Sequence, residues 1–293
     1  MRNKIALIGI GIIGTAVGSR LLETGQQLSV YNRSPAKADA LGVKGAVVGN
    51  SAADAAKDAD FVILSLNSAD IVQEAVFGID GVAAQAKPGT LIIDMSSIDP
   101  GATKTLAQQA QEQGLRWLDC PLSGGAPKAL TGQLTVMAGG DETDFTASKP
   151  VMDLLCANYT LMGPSGAGQT TKLLNQVLCA LNFVAVAEAT QLALDAGVDA
   201  TKIPQALKGG RADSAILQEF MAKMAHKDYS PMGRIDNMVK DLNGVQDLAR
   251  QTNTAMPLTA TCAEIHRLLT YAGLGAADNA ALMKFYEGPQ TES

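Results

Sequence analysis

The chain has 293 residues, of which 47% are hydrophobic and 18% are charged. These values allow one large domain or two modest ones and exclude a disordered chain. The net charge is −6 and no run of basic residues occurs, which argues against a nucleic-acid partner or an anionic membrane surface.

Histidine and cysteine usage points to a protein without a metal centre. The two histidines, His226 and His266, are far apart and lack cysteine or acidic partners at ligand spacing, so we expect no metal site. The four cysteines form no CxxC pair, which is typical of reduced thiols in a cytoplasmic protein.

Short apolar, mostly β-branched runs alternate with helical patterns in the first half of the chain. Strands are predicted at residues 5–8, 28–31, 61–64, 91–93, 117–119 and 134–137. Helices are predicted at residues 12–23, 35–41, 69–77 and 102–113. Alternation of this kind predicts a parallel sheet with helices on both faces.

The second half has a different pattern. After about Ser165 no convincing strand occurs, and long helical patterns rich in Ala, Leu and Met follow. The apolar stretch 177–196 is interrupted by polar residues, which favours a buried helix over a membrane span. We therefore predict an α/β domain over 1–163 and an all-α domain over 164–293, with a frayed tail at 288–293.

The sequence after the first predicted strand is a glycine motif of the form GxGxxG. Gly9 permits a tight turn, Gly11 lets the backbone approach a pyrophosphate, and Gly14 lets the following helix pack close to the strand. Ile12 and Ile13 fill the variable positions, where the helix begins. A strand, a glycine loop and a helix in this order indicate a dinucleotide site at the helix N-terminus, although a glycine-rich turn in an unrelated α/β protein has the same letters.

Residues after the second predicted strand indicate which dinucleotide is bound. An NAD site usually carries an acidic residue there to hold the ribose 2′-hydroxyl, but this chain has Asn32 followed by Arg33 and Ser34, with Lys37 one turn later. A guanidinium can stack on adenine and pair with a 2′-phosphate. The pattern favours NADP(H) and leaves NAD(H) possible; the alternative is that Arg33 and Lys37 are ordinary surface charges.

Two serine-containing segments also follow predicted strands. Ser96 and Ser97 come after the strand at 91–93 and could donate hydrogen bonds to a substrate or cofactor, or could equally cap the next helix. Ser123, Gly124 and Gly125 offer a hydroxyl and unhindered N–H groups, which suit a carboxylate. The alternative for this second segment is a flexible loop.

Lys172 and Asn175 share a face at the start of the long apolar helix, because they are three residues apart. A partly desolvated lysine has a lowered pKa and suits a general acid, although a single helical lysine is more often solvated.

Together these motifs resemble the β-hydroxyacid dehydrogenase family over essentially the whole chain. The resemblance rests on the glycine motif and on four further segments: Asp94-Met95-Ser96-Ser97, Asp119-Cys120-Pro121-Leu122-Ser123-Gly124-Gly125, the Gly-x-Gly-x-x-x-Lys-x-x-Asn run ending at Asn175, and Lys240-Asp241-Leu242. It implies a Rossmann-type doubly wound sheet followed by an all-α domain for substrate binding and dimerisation.

The resemblance also assigns roles. Lys172 matches the catalytic lysine, Asn175 an amide that holds substrate, and Lys240 a lysine near the nicotinamide. The segment 123–125 matches the carboxylate-binding motif, with Ser97 beside both substrate and cofactor. The remaining expected cofactor contacts are Leu66 and Asn67, which follow the strand at 61–64, where Asn67 replaces a usual proline.

The family implies NADP(H)-dependent interconversion of a small semialdehyde carboxylate and its hydroxy acid. The segments at 123–129, 208–210 and 273–278 resemble the branch that reduces tartronate semialdehyde to glycerate. Alternatives are a 3-hydroxyisobutyrate, succinic semialdehyde or glyoxylate enzyme of the same family, an imine reductase, or a non-catalytic NADP-binding protein. A cytoplasmic homodimer or homotetramer, without nucleic-acid or membrane partners, is expected.

Overall fold

The structure is a computed structural model that describes residues 3–230 and 232–286. It divides into two compact units, one extending to Lys172 and the other starting at Leu173. The division falls inside a single helix, Ala167–Asp195. The expected tail at 288–293 lies outside the described residues.

The first unit is a sheet with helices on both faces. Its strands are β1 (Lys4–Ile8), β2 (Gln27–Tyr31), β3 (Val47–Val48), β4 (Phe61–Leu64), β5 (Leu91–Asp94), β6 (Arg116–Asp119), β7 (Leu122–Ser123), β8 (Leu134–Gly140) and β9 (Cys156–Gly163). Its helices are α1 (Ile12–Glu23), α2 (Pro35–Gly42), α3 (Ala52–Ala56), α4 (Ala69–Phe77), α5 (Pro100–Glu112), α6 (Gly125–Leu130) and α7 (Glu142–Met152), followed by the start of α8 (Ala167–Asp195).

Alternation along β1 shows why this sheet is covered on both sides. Ile5 and Leu7 point into one apolar cluster, and Ala6 and Ile8 point into another on the opposite face. All four side chains are at most 2% exposed. Successive strand residues face opposite ways, so a run without polar alternation is buried on both faces. The predicted doubly wound α/β fold is confirmed.

The sheet order is β3-β2-β1-β4-β5-β6-β8-β7, and β9 pairs with β8. The six strands from β3 to β6 are parallel, as predicted. Beyond them the prediction was incomplete, since β8 runs antiparallel to both β6 and β7. The chain enters β7 and α6 directly after Pro121 instead of crossing over a long helix, so the next strand returns in the opposite direction.

The second unit is helical, as predicted. After the continuation of α8 it contains α9 (Ile203–Leu207), α10 (Ala215–Ala225), α11 (Ile235–Thr252), α12 (Pro257–Leu269) and α13 (Met283–Tyr286). Among the described residues after Gly163, β pairing is limited to an isolated bridge between Arg234 and Asp278. The core is centred on an edge-to-face pair, Phe183 and Phe220, whose ring centroids are 4.7 Å apart.

By length and composition alone, α8 could cross a membrane. Its inward face, however, is part of the second unit's core, where Ala180 and Ala187 are fully buried and Phe183 is 8% exposed. A core helix of a soluble protein passes the same length and composition test, and packing accounts for the apolar residues on this inward face of α8.

Candidate active site

Strand order changes direction between β1 and β4, because β2 and β3 extend the sheet on one side of β1 and β4 begins the other side. Ligands of open α/β sheets bind outside the carboxyl ends of the strands at such a switch point. The loops that follow β1 and β4 therefore define the place where the predicted dinucleotide site should be examined.

The glycine loop after β1 has the tight geometry that the motif predicts. Gly9 has φ +97°, which suits glycine, and a Cβ built on it would lie 2.3 Å from the carbonyl oxygen of Ser65. A Cβ on Gly14 would lie 2.0 Å from the carbonyl oxygen of Gly9. Both positions therefore require glycine for the start of α1 to pack against the ends of β1 and β4.

Gly11 is different, because a Cβ built there would meet no atom within 4 Å. It is the N-cap of α1 and supplies no side-chain cap to the helix. The next residue, Ile12, is 83% exposed. The helix start thus presents backbone N–H groups and the positive end of its dipole to open space, which fits a dinucleotide pyrophosphate.

Asn32 connects this loop to the end of β2. Its side-chain Oδ1 accepts a hydrogen bond from the Ile10 N–H at 2.8 Å, and its Nδ2 donates to the Ser34 carbonyl at 3.0 Å. The oxygen of the amide thus links the two loops, and its nitrogen fixes the turn after β2. Arg33, Ser34 and Lys37 lie beside it with exposed side chains.

Loops after β4 and β5 meet through Ser96. Its Oγ accepts a hydrogen bond from the Leu66 N–H at 3.0 Å, and its own N–H donates to Asp94 Oδ1 at 3.0 Å. Ser96 is buried, Ser97 is half-buried and Asn67 is exposed. The capping alternative for the serines is wrong, since Asp99 caps α5 by accepting from the Ala102 N–H at 2.8 Å.

Two buried carboxyl groups lie side by side at the ends of β5 and β6, where Asp94 and Asp119 are register partners. Burial raises the pKa of Asp94 to about 7, against the lowering effect of its hydrogen bonds from Ser96, and the Asp119 charge raises it further. Asp94 Oδ2 has no hydrogen-bond partner within residues 3–230 and 232–286. Burial also raises the pKa of Asp119, against the lowering effect of backbone N–H donors.

Asp119 holds the beginning of α8. Its Oδ1 accepts from the Gly166 N–H at 2.8 Å, and its Oδ2 accepts from the Gln169 N–H at 2.9 Å. Lys172 follows one turn later and is half-buried. The predicted general acid is therefore carried by a helix whose first turn is anchored at the carboxyl end of β6.

The segment after β6 is more ordered than the loop considered as its alternative. Ser123 belongs to β7 and pairs with Thr135 of β8, and Gly124 is the N-cap of α6 with φ +110°. Gly125 opens α6 and also has a positive φ, +64°. The turn thus exposes the backbone at Gly124 while its flanks are fixed by β8 and α6.

In the second unit, α8 and α11 are joined close to Asn175 and Lys240. The Gln176 side chain donates a hydrogen bond to Asp241, the residue next to Lys240. Asn175 Nδ2 donates to Gln176 Oε1 at 2.8 Å. Asn175 is half-buried and Lys240 is exposed.

Gln169, Asp94 and Asp119 are the site residues that the sequence-based assignment of roles omitted. Gln169 stands inside the glycine-rich run before Lys172, but a glutamine in such a run does not reveal that its side chain is buried. The strand-end positions of Asp94 and Asp119 were a usable signal, since buried carboxyls at strand ends face the ligand crevice. No group of three potential metal ligands occurs within residues 3–230 and 232–286.

Comparison with known proteins identifies the family. A family model described as the NAD binding domain of 6-phosphogluconate dehydrogenase matches residues 4–163. A second, described as the NAD-binding region of NADP-dependent 3-hydroxyisobutyrate dehydrogenase, matches residues 166–286.

Individual relatives extend over the whole chain. The chain is 38% identical over 284 residues to 2-hydroxy-3-oxopropionate reductase of Escherichia coli (strain K12), covering 97% of each protein. It is 31% identical to the NAD-dependent L-serine dehydrogenase of Pseudomonas aeruginosa, covering 98% of this chain and 99% of that protein.

A solved structure of Mycobacterium tuberculosis 3-hydroxyisobutyrate dehydrogenase with L-serine has a TM-score of 0.89 and 27% identity, covering 98% of this chain and 100% of the other. The predicted family is confirmed. The protein belongs to the 3-hydroxyisobutyrate dehydrogenase-like β-hydroxyacid dehydrogenases, a family of NAD(P)-dependent oxidoreductases.

Proposed function

We propose that the protein reduces a small semialdehyde carboxylate to its hydroxy acid with NADPH, and that tartronate semialdehyde, reduced to glycerate, is the first candidate substrate. The observation that carries the proposal is that two parts of the candidate site lie at the same edge of the sheet in the first unit. The uncapped start of α1 and the anchored start of α8, which bears Lys172, both lie at the carboxyl ends of its strands. The 38% identity to 2-hydroxy-3-oxopropionate reductase supports the choice of substrate.

The two parts of the chain receive different tasks in this proposal. Residues 1–163 bind the dinucleotide, and residues 164–293 contribute to substrate binding and to assembly. Gly9, Gly11 and Gly14 form the pyrophosphate loop, with Ile12 and Ile13 opening the helix above it.

Further cofactor contacts come from the ends of the neighbouring strands. The residues proposed for this role are Asn32, Arg33, Ser34, Lys37, Leu66, Asn67, Ser97 and, from the second unit, Lys240. A bound nicotinamide dinucleotide supplies the hydride for carbonyl reduction.

The protein's own residues orient the substrate and move the proton. The Ser123 hydroxyl and the backbone N–H groups of Gly124 and Gly125 hold the substrate carboxylate. Lys172 Nζ donates a proton to the carbonyl oxygen as negative charge develops there, and removes it in the reverse reaction. Asn175 donates a hydrogen bond that holds the substrate.

Arg33 supports NADPH over NADH. Its side chain is exposed at the end of β2, next to Asn32, where no carboxylate is present to repel a 2′-phosphate. Arginine pairs with phosphate through two parallel hydrogen bonds.

We also propose a cytoplasmic homodimer or homotetramer. The outer face of α8 carries three exposed leucines, Leu174, Leu178 and Leu192, with exposed fractions of 54%, 64% and 70%. These positions follow helical spacing, and a second copy of the chain would remove the stripe from water. The net charge of −6 supports the absence of a nucleic-acid partner.

A second candidate is oxidation of a 3-hydroxy acid such as L-serine or 3-hydroxyisobutyrate. The Pseudomonas aeruginosa relative is named for NAD-dependent L-serine oxidation, and the Mycobacterium tuberculosis structure contains L-serine. Position 32 carries an asparagine and not an acidic residue, which favours NADP(H). This supports the first candidate, because the relative that suggests the second is named NAD-dependent.

The test compares NADPH and NADH consumption across tartronate, succinic and methylmalonate semialdehydes and glyoxylate, with the reverse reaction on L-serine and 3-hydroxyisobutyrate. We expect the fastest turnover with tartronate semialdehyde and NADPH. Lys172→Ala should lower kcat by about 10²- to 10⁴-fold while NADPH binding, followed by fluorescence, is kept. Lys149→Ala, at an exposed position on α7, is the control.

Each outcome separates one part of the proposal. Faster turnover with NADH would overturn the role of Arg33, and L-serine oxidation as the dominant activity would favour the second candidate. Near-normal turnover by Lys172→Ala would exclude Lys172 as the proton donor.

A further inference from the structure

The Gln169 side chain forms hydrogen bonds to the backbone of the residues directly before and after Ser97. Its Nε2 donates a hydrogen bond to the Ser96 carbonyl at 2.7 Å, and its Oε1 accepts one from the Ile98 N–H at 3.2 Å. Gln169 is 1% exposed, so water does not compete for these bonds. The backbone on either side of Ser97 is thereby tied to a single side chain from α8.

The backbone of the same residue is fixed to a different strand. The Gln169 N–H donates to Asp119 Oδ2 at 2.9 Å, and the Gly166 N–H donates to Asp119 Oδ1 at 2.8 Å. The first turn of α8 is therefore connected to the end of β6 through Asp119 and to the loop after β5 through Gln169.

We infer that Gln169 is a positioning residue for the reaction: it sets the loop carrying Ser97 against the helical turn that carries Lys172. The inference rests on the proposed function for the roles of Ser97 and Lys172. Gln169 itself contacts neither substrate nor cofactor in this assignment. Its contribution is to keep a binding residue, Ser97, and the proton donor, Lys172, which are supplied by different elements, at one relative position.

An amide is the side chain that this position requires. It offers one donor to a carbonyl and one acceptor to an N–H group. An ionised carboxylate would keep the bond from Ile98 but would place an acceptor against the Ser96 carbonyl, whereas a protonated carboxyl group could serve both. A methionine of similar length could serve neither, and it would leave two buried backbone groups unpaired.

This difference makes Gln169→Glu a direct test. The introduced carboxyl group would be buried, because Gln169 is 1% exposed, and the backbone N–H of the same residue bonds to the carboxyl group of Asp119. Burial and a neighbouring carboxylate both raise its pKa above the ordinary value. Lys104 of α5 lies beside this turn, with its Cε 2.9 Å from a Cβ built on Gly166, and a positive charge has the opposite effect on that pKa. We expect kcat at pH 8.5 to fall by about 10- to 100-fold relative to wild type and to recover as the pH falls to 6.

The control is Gln111→Glu, which makes the same charge change at an exposed position on α5. Its ratio of kcat to that of wild type should stay constant over the same pH range. If wild type is active and the ratio of the Gln169→Glu kcat to the wild-type kcat is also constant with pH, the inference is overturned. A purely structural defect would give such a constant ratio, because protonation of the introduced carboxyl group would not repair it.

Amide hydrogen exchange tests the clamp without any substrate. Gln169→Met should speed exchange of the Ile98 N–H by about tenfold, while Gln169→Glu, which keeps the acceptor, should not. Unchanged protection at Ile98 in Gln169→Met would overturn the clamp whatever the activity. Inactivity of wild type on all substrates would instead count against the proposed function, and the exchange result would still decide the role of Gln169.

Discussion

Both units bury an aspartate that holds neighbouring backbone, but they satisfy its charge differently. In the first unit, Asp119 receives N–H groups from the start of α8 and no cation from the described part of the chain. In the second, Asp278 accepts from the Met232 and Gly233 N–H groups at 2.6 and 2.8 Å and also from Lys223 Nζ at 3.2 Å. Both aspartates are fully buried, and Lys223 has a side chain only 10% exposed.

The two units also differ in a second pair of buried titratable groups, Asp94 and His266. Burial raises the pKa of Asp94 to about 7 in the first unit, and burial lowers the pKa of His266 in the second. In each case the apolar surroundings favour the neutral form. The two units therefore bury groups whose effects on stability have opposite dependence on pH.

The largest expected effect comes from removing the paired carboxylate. Asp278→Asn leaves the buried ammonium of Lys223 without its anion, and we expect a loss of about 3 to 5 kcal/mol in the unfolding free energy of the second unit. Asp119→Asn leaves no charge behind but gives up one acceptor for an N–H group, so about 1 to 3 kcal/mol is expected in the first unit. Hydrogen exchange in denaturant, resolved by peptide, measures each unit separately.

Two further variants make this comparison decisive. Lys223→Met in the Asp278→Asn background removes both charges and should recover part of the loss. Asp247→Asn, an exposed aspartate paired with Arg250 on α11, should change the unfolding free energy little. If Asp119→Asn lowers the unfolding free energy more than Asp278→Asn does, the buried ammonium of Lys223 is not what makes the two aspartates differ.

The sequence predicted most of the strands but not the buried hydrogen-bond networks. Runs of β-branched residues located six strands within two or three residues of their observed bounds, because burial on both faces leaves a continuous apolar pattern. The two-residue strands β3 and β7 are too short to show any period. Strand β9 alternates polar and apolar residues weakly and is largely exposed, so it lacked the signal used for the others.

Motif spacing identified the segments of the candidate site but not the contacts that hold them. The glycine motif predicted the start of α1 because its chemistry is local. Gln169 bonds to residues more than 70 positions earlier, and Asp119 bonds to residues 47 and 50 positions later. Partners so distant in sequence are set by strand order, which residue spacing does not reveal.

The second expected effect concerns the first unit alone. The folded-state pKa of Asp94, about 7, lies above the ordinary aspartate value of about 4, so between these values the folded state holds more protons than the unfolded state. The unfolding free energy should therefore fall as pH rises from 4 to 7, by up to about 1.4 kcal/mol per pH unit for one proton. Asp94→Asn, which cannot titrate, should flatten this slope in exchange from first-unit peptides.

The raised pKa of Asp119 contributes with the same sign, so a residual slope in Asp94→Asn is expected and should diminish in the double variant with Asp119→Asn. First-unit stability that rises with pH across this window, or a slope that Asp94→Asn leaves unchanged, would contradict the assignment of a neutral buried carboxyl group at the end of β5.

The smallest effect is expected at His266, and it should have the opposite sign. His266 is fully buried, its Nδ1 lies 2.8 Å from the Cys262 carbonyl oxygen, and its Nε2 has no hydrogen-bond partner among the residues that the structure describes. Burial lowers its pKa below the ordinary value of about 6.5, against the raising effect of its hydrogen bond to the Cys262 carbonyl. The unfolded state therefore takes up a proton first, and second-unit stability should fall as pH drops below about 6.5.

His266→Gln should remove this acid-side loss in exchange from second-unit peptides while leaving first-unit peptides unchanged. His226→Gln, at the exposed C-cap of α10, is the matched control, and its profile should follow wild type. Because the unfolding free energies of the two units change with pH in opposite directions, their sum is largest at the pH where the slopes due to Asp94 and His266 cancel. The absence of an acid-side loss in the second unit would mean that burial does not hold His266 neutral. An acid-side loss in the first unit would mean that the two cores do not differ in the way their buried groups imply.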